Sequence, residues 1–161
     1  MQKQTINFNN PETEFILCKN VSGATLSQGS AVYFDTSAST DGFAVSAART
    51  NQKYLFAGIT TAIMSSNSTS PAAKTLVQCY GITSAYMVLA STAVSSVPGD
   101  QLNSVQSQAY LQDFHGTVIV GSSAATTIDN PWNFVTMMDT FASAAAANTT
   151  PTLKTVFVRA M

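Results

Sequence analysis

Charge is what this sequence has least of. Asp, Glu, Lys and Arg make up 9% of its 161 residues, against roughly 25% in an average globular protein. Seven basic and eight acidic side chains leave a formal net charge of -1, which excludes an electrostatic grip on nucleic acid, because phosphate neutralisation needs clustered Lys and Arg. A polybasic membrane anchor is excluded on the same ground. Long apolar runs are missing as well: the longest, Ala85 to Ala90, has the length of a buried strand and falls far short of the roughly 20 residues of a membrane span. Met1 to Glu14 holds no apolar core of the kind a secretory signal needs, so the expectation is a soluble chain made in a cytoplasm.

Chemistry-bearing residues are just as sparse. Cys18 and Cys79 are the only cysteines and lie in separate apolar segments without a CxxC spacing or a neighbouring histidine, which points to neither a zinc site nor a redox pair. Free, buried thiols are expected, with a bridge between the two as the alternative. His115 is the only histidine, so any Ser-His-Asp or Cys-His device would have to use it. No GxSxG nucleophile elbow accompanies it, and Asp113, two residues away, shares its strand face without having to meet the ring. The carboxylates are scattered singly. Asp35 and Asp100 are conceivable partners in space, but turn chemistry is the simpler role for Asp41 and Asp100. The expectation is that the chain is not an enzyme, has no catalytic residue, and binds no cofactor or metal.

What the chain does have is a coat of uncharged polar residues, 19 Ser and 21 Thr among them, beside 45% hydrophobic residues. That balance excludes disorder, which needs low hydrophobicity and high net charge. A surface with little charge repels its neighbours weakly and suits packing against other protein; Thr also serves strand propensity. Three Asn-x-Ser/Thr patterns, at Asn20, Asn67 and Asn148, are what a Ser/Thr-rich chain makes by chance.

From Phe15 to Val120, short apolar or alternating runs are separated by Gly, Pro, Asn, Asp and Ser, the signature of strands and tight turns. Strands are expected at 15–19, 31–34, 43–47, 55–62, 75–80, 85–90, 116–120 and 153–159, with a type I′ hairpin turn at Asp41-Gly42 and a turn at Pro98-Gly99-Asp100. The fold class is mainly β, a small β-barrel or β-sandwich with short turns, as one domain over 15–161 behind an extended arm, 1–14. One helix is expected near 131–147: Asp129 or Asn130 caps it, Pro131 opens it, and Phe134, Met137, Met138 and Phe141 fall at i, i+3, i+4 and i+7. The Ala144–Ala147 run alternatively forms a low-complexity loop.

The order of these motifs resembles the small decoration, or cement, proteins of tailed bacteriophage heads. The similar elements are Asn20-Val21-Ser22-Gly23 through Leu26, Gly29 to Val32, Gly42-Phe43-Ala44-Val45, Phe56-Ala57-Gly58-Ile59, Val77 to Gly81, and Pro98-Gly99-Asp100-Gln101-Leu102. They cover about two thirds of the chain, and the pattern stops after Val120. The resemblance implies a β-module, commonly a homotrimer, on the outer capsid surface of the virion, bridging neighbouring major capsid protein subunits and stabilising the head against internal DNA pressure. Ile6 and Phe8 in the arm are then candidate docking anchors, a frayed terminus being the alternative. Tyr33, Tyr110 and Trp132 are candidate subunit contacts, with core packing as the other possible fate of each. A tail-associated receptor-binding adhesin is the runner-up.

Overall fold

The computed structural model describes residues 12–36, 43–47, 55–66, 74–89, 95–104, 108–113, 118–119, 125–126, 134–142 and 150–160. The strands are β1 (Glu14–Asn20), β2 (Ala31–Phe34), β3 (Ala44–Ser46), β4 (Phe56–Thr60), β5 (Thr75–Val88), β6 (Gln101–Ser104), β7 (Leu111–Asp113), β8 (Val118–Ile119), β9 (Ala125–Thr126), β10 (Val135–Met137) and β11 (Thr152–Arg159). Nine of them form one sheet, and β8 pairs with β9 alone. The protein is mainly β, as expected.

The pairings run in order β1-β3-β2-β4-β5-β11-β10-β6-β7, and two further contacts, β1 with β5 and β7 with β5, turn that line into two closed circuits. One consists of β1, β3, β2, β4 and the first half of β5; the other of the second half of β5, β11, β10, β6 and β7. Two hydrophobic cores result. The first gathers Cys18, Leu26, Val32, Val45, Ala57, Met64 and Val77. The second core gathers Met87, Leu102, Leu111, Val135, Met137, Val156 and Val158 and extends to Tyr33, Phe56 and Ile59. Pairing on both sides leaves these nine strands few of the free edges that template aggregation.

β5 belongs to both circuits and is strongly bent. Gly29 donates its N–H to Thr60 O at 2.9 Å and accepts from Tyr86 N at 2.8 Å, while Thr60 pairs with Val77. Val77 and Tyr86 are therefore three inter-strand steps apart, roughly 15 Å, where a straight strand would separate them by about 30 Å. The bend lies at Gln78–Gly81. Val77, Gln78 and Cys79 are buried in succession, breaking the alternation, the register with β1 slips between Glu14 and Phe15, and Gly81 has φ of 103°. Gln78 Nε2 donates to Tyr80 O (3.1 Å) and Ile82 O (3.0 Å), holding the bend with a side chain. The sequence suggests a strand ending at Tyr80 and another beginning at Ala85; the strand instead runs through, because Gly81, at a φ of 103°, stays in register with Val158 of β11 rather than opening a turn.

The helix expected near 131–147 is not what the described part of that span forms. Val135–Met137 is a strand between β11 and β6, with Val135 opposite Val158 and Met137 opposite Val156. Val135 and Met137 point inward around Thr136, a period of two that the helical spacing of Phe134, Met137 and Phe141 concealed. Phe141 makes a bridge to Ser96, Phe134 stacks on Phe56 at 5.8 Å, and Met138 is 46% exposed instead of lining an apolar face. Ladder bonds on both edges of β10 outweigh helix propensity, and β-branched Val135 and Thr136 suit them. Residues 131–133 and 143–147, like the Asp41-Gly42 turn, lie outside the described residues, although the β2–β3 pairing that this turn was expected to join is present.

Candidate functional site

Among the described residues, no three His, Cys, Asp or Glu side chains gather in a way that could hold a metal ion. Asp100 does turn chemistry, accepting from Val97 N at 2.7 Å, and Asp35 is buried beside the β2–β3 pair. Asp139 accepts from Thr140 N at 2.7 Å and lies 3.7 Å from Lys154 Nζ. Cys18 and Cys79 are free and buried. Burial, with Cys79 as the lesser cause, pushes the Cys18 thiol up to about 11, and burial followed by the negative charge of Glu14 raises that of Cys79. Such thiols are poor nucleophiles. His115 lies outside the described residues.

The distinctive surface is the outer face of β1, β5 and β11. Alternation along each strand sends one set of side chains to the core and the other to solvent, yet here the outward set is apolar too. Phe15 (45% exposed), Leu17 (45%), Leu76 (47%), Ile82 (41%) and Leu153 (48%) all stand on it. Leu17 is opposite Leu76, Phe157 opposite Ile82 and Leu153 opposite Tyr86, with the polar pair Thr155–Ser84 between the last two. Tyr80 packs edge-on to Phe157 at 5.3 Å. Among the described residues, the charges in register with the middle of this face are Glu14 and Arg159, both paired with Tyr80.

A groove of about 930 Å³ follows the bend of β5 on this face. Phe15, Ile63, Ile82, Tyr86 and Leu153 line it together with Gln28, Gln78, Ser84 and Thr155, and no Asp, Glu, Lys or Arg contributes. Several hydroxyls around it are already engaged: Thr60 Oγ1 donates to Ser27 O at 2.7 Å and Thr61 Oγ1 to Leu76 O at 2.7 Å. They shape the rim.

Of the five residues singled out from the sequence as candidate contacts, Tyr33 and Tyr110 are described. Tyr33 is 2% exposed and packs edge-on to Phe56 at 5.5 Å, which makes it a core residue with no surface to offer a partner. Tyr110 is half-buried just before β7. Ile6, Phe8 and Trp132 lie outside the described residues. Asn20, the first glycosylation match, is fully buried: its amide donates to Ala24 O and Met64 O and its carbonyl accepts from Ser22 N. The sequence reading passed over Phe15, Leu17, Leu76, Ile82 and Leu153 because a strand apolar on both faces reads as doubly buried. No protein-family model matches the chain, and no curated protein matches it.

Proposed function

We propose that this chain is a structural virion protein that binds the outer capsid surface and bridges neighbouring major capsid subunits, stabilising the head against internal DNA pressure. The observation that carries this reading is the broad, largely apolar face on β1, β5 and β11, on which Phe15, Leu17, Leu76, Ile82 and Leu153 stand half-exposed. Exposed apolar surface of this kind marks a protein–protein contact, and a framework of two pairing circuits sharing β5 is a stiff support for it. In this reading the circuits are two small barrels set end to end, and the working form is a homotrimer. A stiff module touching several subunits adds contacts that must break together, so modest individual contacts suffice. The role needs no cofactor, metal, nucleic acid, membrane or catalytic step.

The groove favours a second reading. Its amides, hydroxyls and aromatic rings without charge suit a neutral glycan, as in a tail-associated receptor-binding adhesin. Immunogold electron microscopy of particles from the source separates the two. Label spread over the heads, with particles lacking the protein losing DNA on heating, is the expected result. Label confined to tails would replace it with the adhesin, and unlabelled particles would overturn both.

A further inference from the structure

We infer that the Lys19–Phe43–Lys74 corner of the outer face seats carboxylate side chains of a capsid subunit, and so sets which way round the module lies on the shell. This deepens the capsid reading and rests on it. Cys18 is opposite Thr75, which sets Lys19 and Lys74 at the same end of the β1–β5 pair. Lys19 shares its outward parity with Phe15 and Leu17, and Lys74 shares that of Leu76. Lys19 N donates to Phe43 O at 2.9 Å, bringing Phe43 to the same corner. Phe43 is 47% exposed, and Lys74 Nζ lies over its ring, 5.8 Å from the centroid.

Two observations select an acidic partner. The first is local charge. The 161 residues hold seven Lys and Arg, and two of them gather here beside half-exposed Leu17 and Leu76. A lysine held over an aromatic ring keeps its charge at the border of the apolar surface, where a carboxylate arriving with apolar neighbours meets a complementary cation. The second is polarity along the face. Glu12 and Glu14 stand at the opposite end of β1, where Arg159 shares the Tyr80 register, and Glu14 is roughly 17 Å along the strand from Lys19. The face is thus basic at one end and mixed at the other. A partner turned end for end would bring its acidic group against Glu12 and Glu14, and like charges so placed cost affinity. The apolar side chains supply the area, and the charges choose the orientation.

Co-sedimentation of the purified full chain with heads that lack it, at a series of salt concentrations, tests this. The wild-type affinity is expected to fall about three- to tenfold from low to high salt, as screening grows. Lys74→Glu is expected to weaken binding at low salt about three- to tenfold and to flatten its salt dependence. Lys19→Glu is expected to do the same, and Lys74→Arg to keep both the affinity and the salt response. Met138→Glu adds negative charge at an exposed position outside the face and is expected to leave the affinity unaltered, which separates a local contact from net charge. Circular dichroism checks that each variant folds, and Lys74→Gln replaces Lys74→Glu if that one does not. Salt-independent binding, with both lysine reversals binding like the wild type, overturns the inference and leaves the capsid reading standing; so does a loss with Met138→Glu equal to that with Lys74→Glu. Heads left bare by the wild-type chain overturn both.

Discussion

Two glycines show how single residues hold this fold. At Gly58, φ is 139°, and a Cβ would run into Gln78 O on the neighbouring strand; at Gly81, φ is 103°, and a Cβ would lie 2.6 Å from Glu12 O. In both places the obstacle is backbone, which cannot swing aside. Gly58→Ala and Gly81→Ala are therefore each expected to lower stability by about 1–3 kcal/mol or more, read as a fall in the urea midpoint without a change of slope. The thiols make a second residue-scale case. Cys18 ionises near 11 in the folded chain against an ordinary 9.0, because burial penalises the thiolate. A folded-state pKa raised in this way contributes stability that is complete below about pH 9 and is lost as pH rises towards 11. The thermal midpoint is expected to fall across that window, and Cys18→Ser and Cys79→Ser together to remove this part of the fall. Both thiols should resist alkylation near neutral pH until denaturant is added.

At the scale of elements, β5 decides the architecture. Its inward residues serve two cores and its outward residues form the candidate docking face, so substitutions along it are expected to sort by side. Met87, fully buried in the second core, is expected to cost about 2–5 kcal/mol when replaced by Ala. Ile82→Ala, on the outer face, is expected to cost less than about 1 kcal/mol in a single chain; equilibrium unfolding of the two variants at low protein concentration checks the contrast. β10 carries the opposite lesson. Phe134, Met137, Met138 and Phe141 satisfy a helical spacing in the sequence, but Val135 and Met137 also satisfy a strand spacing, and over so few residues the two periods overlap. Pairing with Leu102 on one side and Val156 and Val158 on the other settles the matter, and neither partner is near in sequence.

For the whole molecule, closure and surface work together. Strands joined into two circuits leave the main sheet with few open edges, so a partner of the kind proposed would meet the side chains of a face rather than strand backbone. An apolar face on a chain with so little charge is poorly suited to remaining a dilute monomer. Replacing half-exposed Ile82 by Arg is accordingly expected to raise solubility, a gain that a static light-scattering concentration series would register.

The mainly β character, the places of β1, β2 and β11, the turn at Pro98–Asp100 and the burial of both cysteines are legible along the chain. These follow from alternation, β-branched content and turn residues, all of which act over a few neighbours. Long-range pairing was needed to show that β5 passes through Gly81 as one bent strand, that the segment around Met137 is a strand, that Tyr33 belongs to the core, and that Phe15, Leu17, Leu76, Ile82 and Leu153 face outward. Each of these rests on which distant strand lies alongside: a glycine can make a bulge or a turn, a short apolar stripe a helix or a strand, and an apolar residue a core or a face, until the partner across the ladder selects one.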